Sequence, residues 1–471
     1  MGIFCFIPYD NKLCYTIHNI AKEETALKQP FAYLSKEHAA YLKNLVQQAA
    51  NMDKNCAVFG AKKHKYQLNP VVTLEEVKRF EQKYQIKLPS EYVFFITQVG
   101  NGGAGPDYGI YGIDTKNLPP LTETEIIPLT PHITPELTQP QWEMLIQTYA
   151  DYEYDESNGI LDGTYCIGTK GCTYFNYVIS SGDYENLVYY FDANYEETSP
   201  PFVLSMHFLE WYAAYFSEII QGNTTHSFGY LPLYTQEEVI AICQNPTDPQ
   251  TQIEALQTLY RFPTLHKDTI TFLKNCETPD MEVQKYKLLL QFEPEFIIKQ
   301  FRHILQTKPE IAVSICRNIP NEYKDAYYTD MLELLYHMDF ADLAQQQTII
   351  LVFLKQCQSF CAADILPFAK DETQPPRSRG FAFDQMCYAP DKRAFEKEYM
   401  EVLQHCDEPD VVKNVLTLSM LFDSNHWLAI YIFLREKFKR SYAVCWALDI
   451  RLRDYGFSKD YNHLTETFDD I

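Results

Sequence analysis

The sequence predicts an α+β domain followed by an all-helical one, on three observations. Residues 73–114 (TLEEVKRFEQKYQIKLPSEYVFFITQVGNGGAGPDYGIYGID) read as helix, break, second helix and a glycine-rich exit into a strand. Residues 174–191 alternate apolar and polar side chains in two runs separated by Ser180, Ser181, Gly182 and Asp183, the pattern of a hairpin. After Gly222, Asn223 and Thr224 the alternation stops and apolar residues recur at helical spacing.

The elements follow in order. Residues 31–50 form an amphipathic helix with Phe31, Leu34, His38, Leu42 and Leu45 near one face. It packs on the next domain or hangs as a loosely attached arm. Thr73 and Glu76 have capping-box spacing, in which each side chain satisfies a free backbone N–H. Leu74, Val77, Phe80 and Tyr84 line one face of the helix so started. Leu88-Pro89 stops that helix and restarts the chain, because proline suits a first turn and disfavours a helical residue before it. Tyr92, Phe95, Ile96 and Val99 make the second stripe, and Asn101-Gly102-Gly103 supplies the residues a left-handed exit requires. Prolines 119, 120, 128, 131, 135 and 140 mark a long irregular crossing to a helix around Trp142.

These residues resemble the SMI1/KNR4 (SUKH) superfamily, whose pattern runs FE, LP, tyrosine and phenylalanine, then NGG. Here they are Phe80-Glu81, Leu88-Pro89, Tyr92, Phe95 and Asn101-Gly102-Gly103, continued by Gly105-Pro106, Tyr108-Gly109 and Tyr111 in a bacterial flavour of the motif. Residues 163–191 look like the family's second half, and Phe208 to Trp211 resembles its closing F-x-x-W helix. The resemblance implies a curved antiparallel sheet with helices packed on it. It also implies a bacterial immunity protein that binds and neutralises a polymorphic toxin, with fungal cell-wall regulators as relatives. On this reading Phe80, Glu81, Leu88, Pro89, Tyr92, Asn101, Gly102, Gly103 and Trp211 mark the fold, and the partner surface lies on the variable parts between them.

Three later segments share a start: 245–248 (NPTD), 277–280 (ETPD) and 407–410 (DEPD), each followed by an apolar helical run. Asp248, Asp280 and Asp410 are expected to cap those helices. The spacing suggests about six or seven HEAT-like helix–turn–helix units, or else an irregular helical domain. The expected organisation is an N-terminal segment over 1–61, a SUKH-like domain over 62–221, a linker at 222–234 and a HEAT-like repeat domain over 235–471. Limited proteolysis is expected to cut the linker.

Charge is uneven along the 471 residues, whose net charge is −23. Residues 1–116 hold 14 basic and 11 acidic side chains, whereas 117–224 hold one basic residue, Lys170, against 16 acidic ones. So one-signed a surface repels phosphate and attracts basic proteins, which disfavours direct nucleic-acid binding. The thirteen cysteines form no dense framework and read as reduced thiols of a cytoplasmic protein. No apolar run reaches the ~20 residues that span a bilayer, and the first residues lack a signal-peptide pattern, so no membrane association is expected.

No catalytic or metal motif is apparent. Cys166 and Cys172 lack a second pair at zinc spacing, and Cys357 and Cys361 lie one turn apart on an expected helix. His64, His207 and His226 have no H-x-x-x-H partner, and Gly102 to Gly105 lacks the Lys-Ser/Thr of a phosphate loop. The acidic cluster Asp151, Glu153, Asp155 and Glu156, interleaved with Tyr152 and Tyr154, is a solvated loop, a protein-contact loop or a cation site. With Asp183, Tyr184 and Glu185 these residues are the candidate partner-binding set. The expected function is non-catalytic and without cofactor: an immunity protein occluding a basic toxin, such as a nuclease. The alternative is an intracellular scaffold that recruits clients.

Overall fold

The computed structural model describes residues 34–122, 126–149, 159–194, 199–245, 248–276, 281–337, 342–422 and 425–455. The chain divides into two compact units, 1–269 and 270–471.

In the first unit α1 (Lys36–Met52) begins five residues later than the apolar pattern suggests, because Ser35 caps it by accepting the His38 N–H at 3.3 Å. Its buried face is Ala39, Leu42, Leu45, Val46 and Ala49; Leu34 is left exposed and Phe31 lies outside the described residues. That face joins the main core, so α1 is part of the domain. After the short turn α2 (Ala61–His64) comes α3 (Leu74–Tyr84), started by the Thr73–Glu76 capping box in both directions. The next helix, α4 (Ser90–Phe94), widens into a π-turn over Phe95–Val99, where Thr97 Oγ1 donates back to the Val93 carbonyl at 2.8 Å. Tyr92, Phe95, Ile96 and Val99 are all buried, as their spacing indicates.

The sheet is an antiparallel meander of β1 (Thr164–Gly171), β2 (Tyr174–Ile179), β3 (Leu187–Asp192) and β4 (Phe202–His207). Side chains alternate between its faces. Val178, Val188 and Tyr190 enter the main core with the helices, whereas Ile179, Tyr189 and Phe191 meet Trp142 and Ile133 on the opposite face. The proline-rich crossing carries the chain round to that second face, where α5 (Gln139–Tyr149) buries Trp142. The closing helix α6 (Phe208–Ile220) lies in the main core, with Phe208, Leu209, Trp211, Tyr212 and Phe216 fully buried.

The expected linker belongs to this unit. Phe228 is buried in the main core, and Tyr190 Oη donates to its carbonyl at 3.0 Å. The helices α7 (Gln236–Gln244) and α8 (Pro249–Thr258) also fall within 1–269. Arg261 Nη1 grips both carboxylate oxygens of Glu218 at 2.6 Å, and its Nη2 donates to the Tyr234 carbonyl. A buried charge needs its partner, and this pair ties the first helical hairpin to the closing helix.

The second unit is helical among its described residues. The division falls in the first turn of α9 (Lys267–Asn275). It continues with α10 (Glu282–Phe292), α11 (Pro294–Ile298), α12 (Phe301–Thr307), α13 (Pro309–Cys316), α14 (Asn321–Lys324), α15 (Tyr328–His337) and α16 (Leu343–Lys355). The last six helices are α17 (Ala362–Lys370), α18 (Pro376–Met386), α19 (Glu396–His405), α20 (Pro409–Ser419), α21 (Asn425–Lys437) and α22 (Tyr442–Asp454). One helix of each hairpin stacks on the next, in the order α10, α13, α16, α18, α20, α22, while α15, α17, α19 and α21 each pair with the helix that follows them. Gly380 lets α18 approach α20 closely, since a Cβ there would stand 2.7 Å from the Asp410 carbonyl oxygen.

The aspartate start signal fares unevenly. Asp248 caps α8, accepting the Gln250 and Thr251 N–H groups, but in α20 the N-cap position falls on Glu408, whose side chain makes no capping hydrogen bond, and Asp410 sits inside the first turn. Proline takes the first helical position in both; it follows Asp248 in one case and precedes Asp410 in the other. Asp280 lies outside the described residues. Cys357 and Cys361 do not share a helix: α16 ends at Lys355 and α17 starts at Ala362. Among the described residues no helix is long and apolar enough to cross a membrane.

Candidate partner-binding surface

The motif residues from Phe80 to Gly103, with Trp211, are spent on the fold. Glu81, buried, accepts the Leu88 N–H at 3.0 Å and pairs with Lys87 Nζ at 3.2 Å, so the FE element holds the LP element in place. Asn101 acts as a strand surrogate: its Oδ1 accepts the Ile113 N–H at 2.8 Å and its Nδ2 donates to the Ile113 carbonyl at 2.9 Å. Gly103 takes φ +107° and exchanges both backbone hydrogen bonds with Ile110 at 2.9 Å. A Cβ on Gly103 would lie 2.3 Å from the Gln67 carbonyl oxygen, so a phosphate-cradling role is not needed to explain it. Phe80, Leu88, Pro89, Tyr92 and Trp211 are buried; Tyr92 Oη donates to the Tyr111 carbonyl, and Trp211 Nε1 to Tyr190 Oη.

The glycine-rich exit thereby fixes residues 108–111 along the outer edge of β1. The Tyr108 N–H donates to the Thr169 carbonyl at 3.3 Å and the Tyr111 N–H to the Ile167 carbonyl at 2.7 Å. Such a strip covers an otherwise unpaired sheet edge. It leaves Tyr108 40% and Tyr111 42% exposed, and the Phe59 ring, 51% exposed, packs 5.2 Å from that of Tyr108. Gly60 presses the two loops together: a Cβ there would meet the Asp107 carbonyl oxygen. Exposed Lys62, Lys63 and Lys65 follow. Amphipathic rings held on a rigid backbone are the side chains that anchor protein interfaces. In the sequence Tyr108 and Tyr111 are legible only as motif letters; their solvent exposure depends on pairing with the distant strand β1, which no local signal announces.

Beneath this edge lies a buried polar cluster. Asn176 Nδ2 donates to Asp107 Oδ2 at 3.3 Å, and Lys170 Nζ sits 4.6 and 4.5 Å from the ring centres of Tyr190 and Tyr230. Burial raises the Asp107 pKa and lowers that of Lys170, each charge partly restoring the other. Lys170 is the single basic residue of 117–224, so its inward position leaves that segment's surface more uniformly acidic.

Of the candidate set, residues 151–156 lie outside the described residues. Asp183 is exposed, and Tyr184 packs partly against the second core. Glu185 is engaged within the chain: its Oε1 accepts the Ser90 N–H at 2.9 Å, while Asn186 Oδ1 accepts the Glu91 N–H. These side chains cap α4. Glu91 in turn accepts the Leu209 N–H at 2.8 Å and faces His207 Nδ1 at 3.3 Å. His207 thus meets a structural carboxylate, and His64 is buried with Nδ1 accepting the Tyr66 N–H at 3.0 Å. Among the described residues no group of three or more His, Cys, Asp or Glu side chains could hold a metal ion.

An antiparallel meander with helices on one face, Trp142 on the other and a glycine-rich strip along β1 defines an α+β scaffold that presents a surface. Residues 71–221 match the model of the SMI1 / KNR4 family (SUKH-1), and the chain carries a SUKH-1 domain there. The match begins after α2 and ends with α6, before the α7–α8 hairpin that Arg261 ties to Glu218. No curated protein and no solved structure matches the chain.

Proposed function

We propose that the protein is a cytoplasmic bacterial immunity protein that binds and neutralises a polymorphic toxin without catalysing a reaction. The observation that carries this reading is a division of labour within the motif: its residues from Phe80 to Gly103, with Trp211, are engaged in the fold, while Tyr108 and Tyr111, with Phe59 just before the matched domain, stay exposed on a rigid edge. The domain's family is known for immunity proteins, generally non-catalytic ones whose partners are protein toxins.

Charge supports a basic partner such as a nuclease, which an acidic protein can engage where phosphate would bind. In this reading Asp151, Glu153, Asp155, Glu156 and Asp183 steer encounter, and the aromatic residues, Tyr152 and Tyr154 included, hold the docked complex. Neutralising the acidic loop then slows association and weakens its salt dependence, whereas losing aromatics speeds dissociation. Lys62, Lys63 and Lys65 favour an acidic element of the partner beside Tyr108. A scaffold role is the second reading, favoured by the stacked hairpins of 270–471, since such stacks offer extended binding surfaces.

The test is co-expression in bacteria with the toxin domain encoded by the neighbouring gene. The parent chain restores growth, and a Tyr108→Ser/Tyr111→Ser variant that accumulates equally does not. Failure of the parent to protect, or full protection by the variant, overturns the reading.

A further inference from the structure

The turn that leads into the aromatic edge is strained. Lys65 and Tyr66 follow α2 with φ +51° and +57°, two successive residues with side chains in the left-handed region, a conformation that persists only where neighbouring contacts hold it. Two contacts do so here. His64 Nδ1 accepts the Tyr66 N–H at 3.0 Å, two residues on, as the side chain of an Asx turn does. Tyr66 Oη donates to Asp53 Oδ2 at 2.7 Å, and the His64 and Tyr66 rings meet edge to face at 5.3 Å.

From that turn a series of backbone bonds runs to the edge. The Gln67 carbonyl accepts the Ala104 N–H at 2.7 Å, Gly103 exchanges both bonds with Ile110, and the Tyr108 and Tyr111 N–H groups reach β1. His64 also touches the strip directly. A Cβ on Gly109 would stand 3.4 Å from His64 Cδ2, so the buried imidazole lies under the backbone between Tyr108 and Ile110.

We propose, resting on the reading of this edge as the toxin-binding surface, that His64 is its positioning residue: while neutral, it pins the Lys65–Tyr66 turn and with it the strip that carries Tyr108 and Tyr111. Nδ1 accepts only while it is unprotonated, so the ring's one proton sits on Nε2. A second proton turns Nδ1 into a donor facing the Tyr66 N–H, and the turn loses its pin. Burial pushes the His64 pKa down from 6.5 to about 4, against the Asp53 charge and the Gly105 carbonyl. Asp53, at the end of α1, is the carboxylate that faces the ring; Cys56 and Tyr215 of α6 stand near Tyr66, and Lys62, Lys63 and Lys65 on either side of His64 are exposed. The edge is therefore fixed at neutral pH and loosens as pH falls towards 4.

Two substitutions in the full chain test this. His64→Leu fills the space without an acceptor. His64→Asn supplies an acceptor suited to the backbone two residues on, and that acceptor takes no proton in this range. Amide hydrogen exchange, which needs no partner, reads the edge itself. At neutral pH the Tyr108 and Tyr111 amides should exchange about fivefold or more faster in His64→Leu, as loss of one hydrogen bond implies, with β2 and β3 as protected as in the parent. His64→Asn should restore the parent's rates. Between pH 6.5 and 4 the parent's edge should loosen relative to that of His64→Asn at the same pH. Dissociation from the toxin that the neighbouring gene is proposed to encode should follow the same order.

Equal exchange of Tyr108 and Tyr111 in the parent and His64→Leu overturns the proposal, and so does acid loosening that His64→Asn shares in full. Should His64→Leu fail to accumulate, the acid comparison with His64→Asn decides alone. Faster exchange with parental dissociation in His64→Leu also overturns it, since the toxin would then not hold this edge. The expected exchange pattern in a parent chain that binds no toxin upholds His64 as the positioning residue of the edge and overturns the immunity reading instead.

Discussion

Glu81 Oε1 accepts the Leu88 N–H across the turn between α3 and α4, at 3.0 Å, with the carboxylate buried. The two most recognisable pairs of the motif, Phe80-Glu81 and Leu88-Pro89, are therefore one device: an acceptor at the end of one helix fixes the donor that precedes the next. The same logic recurs at Asn101 and Ile113, where a side-chain amide replaces a strand partner.

Glu81→Ala should cost about 1–3 kcal/mol, because it leaves a buried N–H unsatisfied. Thr73→Ala, which removes an exposed cap, should cost nearer about 1 kcal/mol. Chemical denaturation of both variants checks the order. Equal losses would mean that the Leu88 N–H finds water.

Two glycines separate backbone strain from collision. Gly182 has φ +79° with nothing within 4 Å of where a Cβ would stand, so Gly182→Ala should lose only the left-handed penalty of about 1–2 kcal/mol. Gly103→Ala adds a collision with the Gln67 carbonyl at 2.3 Å and should prevent accumulation of folded protein. A melting curve close to the parent's for Gly103→Ala would refute the placement of residues 101–111.

Arg261→Met should destabilise the first unit by about 3–5 kcal/mol, since Glu218 would stay buried without its partner. Adding Glu218→Leu should recover much of that loss. Protease resistance at 222–234 should follow the same order, with the single variant cut fastest. Rapid cutting there in the parent would restore the linker that the sequence suggests.

The histidines give opposite pH signatures. The Glu91 carboxylate raises the His207 pKa, with Glu185 and Glu210 adding to it against partial burial. Its stabilising contribution is complete below the ordinary histidine value and fades as pH rises through the raised one. Burial pushes His64 down from 6.5 to about 4, against the Asp53 charge. The unfolded chain therefore takes that proton first, and stability falls as pH drops from 6.5 towards 4. In urea titrations His207→Gln should flatten the loss of stability as pH rises from 6.5, and His64→Gln the loss as pH falls from 6.5 towards 4. An unaltered pH profile in both would contradict these assignments.

Much of the α+β half was legible because its signals are local. The Thr73–Glu76 cap, the Leu88-Pro89 break, the 180–183 turn and the alternation of Val178 and Ile179 are each decided within a few residues. What escaped depends on distant partners. The π-turn at Phe95–Val99 gives no sequence signal, Phe228 falls in the expected linker until Tyr190 is beside it, and Arg261 has no local signal for its pairing with Glu218. Asp410 failed as a cap through one local detail, the order of proline and aspartate. In the candidate surface, tyrosine content was readable but exposure was not. Tyr108 and Tyr189 are the same residue type, yet the first is 40% exposed and the second fully buried.

The central claim is that the SUKH-1 domain binds a toxin through the exposed tyrosines of its motif while the buried motif residues hold the fold. Binding kinetics of the purified chain against the immobilised, catalytically inactivated form of the toxin that the neighbouring gene is proposed to encode test it most directly. Tyr108→Ser/Tyr111→Ser should raise the dissociation rate by about tenfold or more with the melting temperature unchanged, as loss of two interface anchors implies. Parental dissociation kinetics in that variant, at parental stability, would contradict the account.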